Sequence, residues 1–143
     1  QAPAWLRGMP RYLWATLAEI MALRAFDLEV AVDGLALHRG PVLFASTLNT
    51  PSYGSGMPAA PMARIDDGRL ELVMAGRFGP LAMMPLLFTW LHLLHPRLRA
   101  KSFDTLALRC ATALPLAADG EPLLPSREVV VRTRPQALAV VRR

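Results

Sequence analysis

Asp27-Leu28-Glu29-Val30-Ala31-Val32-Asp33-Gly34-Leu35-Ala36-Leu37-His38 is the stretch on which the fold turns. Leu28, Val30 and Val32 alternate with Asp27, Glu29 and Asp33, the two-residue period of a strand with one buried face. Asp33-Gly34 offers two residues that tolerate a tight turn, so Leu35 to His38 is expected to return as the hairpin partner. Working outward, Pro41 to Leu48 reads as a third strand, mostly apolar. Leu70, Leu72 and Met74 form another after the Asp66-Asp67-Gly68 turn. Leu106, Leu108 and Cys110 alternate with Thr105, Ala107 and Arg109. Leu116, Val129 to Val131 and Leu138 to Val141 supply further short strands, with Asp119-Gly120-Glu121-Pro122 as a turn.

Two segments carry the helical period instead. From Pro10 to about Phe26, Leu13, Trp14, Leu17, Ile20, Met21 and Leu23 recur at helical spacing. Pro80 to His95 is nearly apolar all round, and Pro96 ends it. Between them, Asn49 to Pro61 holds three prolines and two glycines in thirteen residues, which excludes both helix and inner strand. The expected fold is mainly β (α+β): one antiparallel β-sandwich domain with two helices.

The chain has 143 residues, enough for one domain with a sizeable core, and 53% hydrophobic content excludes disorder. Its single cysteine excludes a disulfide scaffold and a cysteine-based metal cluster. The net charge is +5, but 15 of the 16 basic residues are Arg, scattered across strands and termini without interleaved aromatics. Nucleic-acid binding is therefore a weak reading. Gly79 to Leu94 is too short for an ordinary membrane span, and the start at Gln1 lacks the charged-then-apolar order of a signal peptide. The expected location is cytoplasmic, or peripheral at the inner membrane face.

Three motifs stand in register: Asn49-x3-Tyr53-Gly54-Ser55-Gly56-Met57-x3-Pro61, then Ala63-Arg64-Ile65-Asp66-Asp67-Gly68-Arg69-Leu70, then Asp119-Gly120-Glu121. With the apolar helix and its His-Pro end between the last two, this arrangement resembles the C-terminal domain of the diacylglycerol kinase family. That family includes the soluble bacterial diacylglycerol kinases and the sphingosine and ceramide kinases. The resemblance runs over nearly the whole chain. It implies a β-sandwich domain of an ATP-dependent lipid kinase, with nucleotide held in a cleft against an N-terminal domain. The family's Gly-Gly-Asp-Gly-Thr phosphate motif does not occur in these 143 residues, nor does a Walker-type loop. The nucleotide-binding domain is thus expected to be absent from this chain, and the chain alone inactive. The family's early strand pair is also missing, which would leave a sheet edge open to a homodimer.

The resemblance assigns roles residue by residue. Glu121 matches the position regarded as accepting the proton of the attacking hydroxyl, and Asp119 would orient the turn or touch metal and nucleotide. Asn49, Gly54, Ser55 and Gly56 match the nucleotide-side loop, with Ser55 replacing a glycine. Asp67 through its carboxylate, and Arg64 and Arg69 through their carbonyls, match a structural Mg²⁺ site built of hard oxygen donors. The two arginine side chains would raise the local positive potential there. Each motif also has a plain reading as a solvated turn or loop, because Asp and Gly dominate turns for local reasons.

An exposed strip of the Pro80 to His95 helix, with Trp90 and the following Arg97-Arg99-Lys101 cluster, would suit an anionic membrane; core or interdomain packing is the competing reading. His92 and His95 lack a third ligand, Cys110 reads as a small core residue, and Trp5 and Trp14 as packing anchors. The rival function is a non-catalytic membrane- or lipid-binding module, which shares the apolar helix and needs no Glu121.

Overall fold

The computed structural model describes residues 24–52, 60–77 and 98–137. Six strands follow in order: β1 Phe26–Val32, β2 Leu35–Leu48, β3 Leu70–Gly76, β4 Leu98–Phe103, β5 Thr105–Ala118 and β6 Glu121–Arg132. All neighbours are antiparallel, in the spatial order β4-β3-β2-β1-β5-β6.

The hairpin at Asp33-Gly34 forms as its residues require. Both have positive φ, 50° and 81°, the geometry of a tight two-residue hairpin turn whose twist matches the strands. Leu28, Val30 and Val32 are buried while Asp27 and Glu29 are exposed, so the alternation places one face of β1 inward.

The return strand and the expected third strand are one element. β2 runs unbroken for 14 residues because Gly40, at φ 140°, lets the backbone turn where a side chain would clash with its own carbonyls. β2 pairs with β1 up to Val42 and with β3 from Val42 onward. It changes neighbour at Val42, two residues past Gly40, where its register with β3 shifts.

β4 and β5 are joined by Asp104 alone, yet β4 pairs with β3 at one edge and β5 pairs with β1 toward the other. A chain that switches partners at a bend is how one sheet folds into two packed layers. The main core sits between them: Leu28, Val30 and Val32 of β1 and Leu106 of β5 cluster with Leu72 and Met74 of β3 and Phe103 of β4. Cys110 packs against this cluster, as its strand position suggested.

β3 departs from simple alternation. Leu72 to Ala75 are four consecutive buried residues, since Leu72 and Met74 face the main core and Val73 meets a second cluster of Leu48, Ala60 and Ala63. The start of the chain segment after the proline-rich loop thus lies against the back of β3.

Other expectations are corrected. Phe26 opens β1 rather than ending a helix, because its side chain packs on the core in step with Leu28. Leu116 belongs to a continuous β5, and Val129 to Val131 to a β6 that already begins at Glu121. The turn there is Asp119-Gly120 alone, with φ 50° and 86°. Arg99 and Lys101 stand exposed on β4, a strand not anticipated from its polar sequence. No helix occurs among the described residues; Pro80 to His95, most of Pro10 to Phe26 and Leu138 to Val141 lie outside them.

Candidate functional site

The residues singled out from the sequence fall at two separate places. The first is the corner where the Asp66-Asp67-Gly68 turn, the β4–β5 joint and the β1–β2 hairpin meet. The Asp67 carboxylate accepts a hydrogen bond from the Arg69 backbone N–H through Oδ1 at 2.9 Å, which holds the turn closed. Arg69 then reaches across the corner: Nε donates to Ser102 Oγ at 2.8 Å, and its terminal nitrogens lie 3.4 Å from Asp33 Oδ2 and 3.6 Å from Asp104 Oδ2.

Asp33 is the hub of this corner. Its Oδ1 accepts from the backbone N–H of Asp104 at 2.9 Å and of Thr105 at 2.8 Å. These bonds, first that from Thr105, then that from Asp104, and the nearby Arg69 charge hold the Asp33 carboxyl below the usual carboxylate range. Asp33, Ser102 and Asp104 were not legible as site residues. An Asp-Gly pair reads as a turn whatever else its carboxylate does.

Both arginines of the expected metal loop have their guanidinium groups turned to carboxylates. Arg64 Nε lies 3.2 Å from Asp66 Oδ1, and Arg69 faces Asp33 and Asp104. The local positive potential expected from the sequence is largely compensated. Asp67 with the carbonyls of Arg64 and Arg69 would supply three oxygen donors, and Mg²⁺ commonly keeps waters in its remaining positions. The donor chemistry fits such an ion. No group of three or more His, Cys, Asp or Glu side chains suited to a metal occurs among the described residues.

Asn49 directly follows β2, at the end where Leu48 pairs with Glu71, and is exposed. Pro51 and Ala60 are joined by Ala60 N–H donating to Pro51 O at 3.1 Å, and Ala60 and Ala63 are buried against Leu48 and Val73. Gly54, Ser55 and Gly56 lie outside the described residues.

The second place is the tip of an arm. β5 pairs with β1 only from Leu106 to Arg109; beyond that, β5 and β6 pair with each other. Asp119-Gly120 is the arm's turn, and Glu121 pairs with Ala118 as the first residue of β6, fully on the surface. Asp33 binds the opposite end of β5, at Thr105. The metal loop at the Asp33 corner and Glu121 at the hairpin tip thus lie at opposite ends of the 14-residue β5.

The arm is not freestanding along its length. Leu114 and Leu116 of β5 line an apolar groove of about 450 Å³, whose other wall includes Phe26 and Leu28 of β1 and Leu43 and Phe44 of β2. Leu116 is opposite Leu123 and two residues from Ala118, the partner of Glu121. The groove's lining thus ends, at Leu116, two residues short of the pair Ala118 and Glu121.

The family model for the YegS C-terminal NAD kinase β-sandwich-like domain matches residues 1–142. The chain belongs to that family. It is 30% identical over 141 residues to a diacylglycerol kinase of Mycobacterium tuberculosis, found in strains CDC 1551/Oshkosh and ATCC 25618/H37Rv. The match covers 96% of this chain but 45% of the relative, so the chain spans less than half the relative's length. A crystal structure of a diacylglycerol kinase from Bacillus anthracis strain Sterne superposes with a TM-score of 0.64 at 17% identity, over 86% of this chain and 42% of that one. A further crystal structure from the same strain reaches 0.70, at 17% identity, over 87% and 41%. At that identity the agreement is one of fold. It corroborates the sandwich-like domain.

Proposed function

We propose that this chain is the lipid-substrate half of an ATP-dependent lipid kinase, with Glu121 as the proton acceptor. The observation that carries this reading is the carboxylate at the tip of an arm whose inner side walls an apolar groove. An amphiphile with a hydroxyl head and an acyl tail is what such a pairing suits: the tail buries apolar surface, and the hydroxyl lies at the carboxylate.

In the proposed reaction the lipid hydroxyl oxygen forms a bond to the γ-phosphorus of ATP while the bond from that phosphorus to the β,γ-bridging oxygen breaks. ADP leaves, and the hydroxyl proton passes to Glu121. Asp119 positions the turn, and Asn49 with Gly54, Ser55 and Gly56 faces the nucleotide held mainly by the other domain. Mg²⁺ bound with the nucleotide would neutralise phosphate charge; a separate Mg²⁺ at the corner, held by Asp67 with the Arg64 and Arg69 carbonyls, would have a structural role.

A second reading, a lipid-surface module without catalysis, has one observation in its favour. Leu124 is 88% exposed beside Glu121, between Pro122 and Pro125, an apolar tip suited to peripheral membrane contact. No helix among the described residues is long and apolar enough to cross a membrane.

The test is γ-phosphate transfer from ATP to diacylglycerol, sphingosine and ceramide by the full-length protein that contains this chain. Glu121→Gln is expected to cut turnover by roughly 10²–10⁴-fold with little change in lipid binding. The 143-residue chain alone is expected to be inactive. No transfer to any of the three lipids, or an undiminished Glu121→Gln variant, would leave the non-catalytic module.

A further inference from the structure

The apolar groove beside the arm carries a charge pattern that burial of an acyl tail does not require. Arg24, Arg109 and Arg127 line it, and among the described residues no carboxylate does. Two of its polar side chains are already committed. Arg109 lies 2.8 Å from Glu128 Oε1. The Ser126 hydroxyl donates to Glu128 O at 2.7 Å and accepts from Glu128 N–H at 3.2 Å. Arg24 and Arg127 form no ion pair with another described residue, and both are exposed.

The register gives their place along the groove. β1 and β5 are antiparallel, so the direction from Leu106 toward Leu116 on β5 is the direction from Val32 toward Arg24 on the other wall. On β6, Val129 lies opposite Leu108 and Ser126 opposite Leu114. Both arginines therefore stand past Leu28, Leu108 and Val129, toward the Leu116 end where the lining stops.

A groove that is apolar at one end and holds two uncompensated cations toward the other sorts amphiphiles by their heads. Guanidinium forks bond best to the paired oxygens of a phosphate or carboxylate. Apolar walls that displace water strengthen that attraction, and a neutral head gains little from it. The groove's volume of about 450 Å³ has room for one chain of roughly fifteen carbons, taking a methylene to be about the size of a water, ~30 Å³.

We propose that this groove binds an amphiphile with an anionic head, one acyl chain lying against Leu28, Leu108 and Val129 and a phosphate or carboxylate held by Arg24 and Arg127. Resting on the lipid-kinase reading above, the consequence is substrate selection. The order of chain wall, arginine pair and Glu121 favours an acceptor whose negative charge lies between its chain and its hydroxyl.

Isothermal titration calorimetry of the full-length protein tests it, with decyl phosphate, decanoate and monodecanoylglycerol below their micelle concentrations, and with inorganic phosphate. Decyl phosphate or decanoate is expected to bind about tenfold tighter than neutral monodecanoylglycerol, and the tighter of the two names the head group. Inorganic phosphate, which has no chain, is expected to bind more weakly than either. Arg24→Gln with Arg127→Gln, at two exposed positions, is expected to abolish the anionic preference and leave monodecanoylglycerol affinity unchanged. Equal affinity for charged and neutral amphiphiles, a preference that survives the double variant, or inorganic phosphate binding as tightly as decyl phosphate overturns the proposal while the groove keeps its acyl role. Failure of all three amphiphiles to bind overturns it together with the acyl groove of the lipid-kinase reading.

Discussion

Asp33 does more than turn a hairpin. Its backbone adopts the left-handed conformation that Asp and Asn tolerate better than most residues, and its carboxylate ties the β4–β5 joint to the β1–β2 hairpin. Asn keeps that backbone and one acceptor while removing the charge. The folded carboxyl is held below its unfolded value, so its stabilisation is fully present above about pH 4 and is lost as pH falls through the folded value. Asp33→Asn should therefore be less stable than the parent in urea at pH 7, with the gap narrowing below about pH 4. A gap of constant size down to pH 2 would show that the charge is not the cause. The same residue shows why the site was only half legible. Asp67, Asp119 and Glu121 stood in motifs that a family pattern could mark, whereas the partners of Asp33 lie about seventy positions away.

At the scale of elements, the decisive feature is a strand that changes neighbours. Gly40 at φ 140° sits two residues before Val42, where β2 exchanges β1 for β3 without a break, and this backbone region is closed to residues with a β-carbon. Gly40→Ala is expected to cost about 1–3 kcal/mol in urea unfolding, although a β-carbon there would meet only His38 Nε2, at 3.9 Å. A loss below about 0.5 kcal/mol would mean the bend can form another way. From the sequence this element looked like two strands, since Gly40-Pro41 is a strong local interruption. The opposite error befell β4: Leu98-Arg99-Ala100-Lys101-Ser102-Phe103 carries little apolar alternation, because an edge strand buries few side chains.

Across the whole molecule, the two layers are held by side chains that meet far from their sequence neighbours. Phe103 is fully buried at the end of β4, one residue before the joint, and packs in the cluster that unites β1 and β5 with β3. Phe103→Ala is expected to destabilise the domain by about 3–5 kcal/mol, read from denaturant midpoints, with a residue-sized cavity between the layers. A loss under 1 kcal/mol would show that the layers close over the gap.

Local physics was enough to mark β1, both Asp-Gly hairpin turns and the β-rich class, since alternation and positive φ depend on residues within a few positions of one another. The motifs in register were enough to mark the family. Tertiary structure alone decided that β2 and β5 each run 14 residues, that Asp104 joins strands on opposite sides of the sheet, and that Arg69 bridges three turns. It also decided that the metal loop and Glu121 stand at opposite ends of β5. Strand neighbours and layer packing are settled by burial between residues far apart in the chain, a quantity that no local pattern contains.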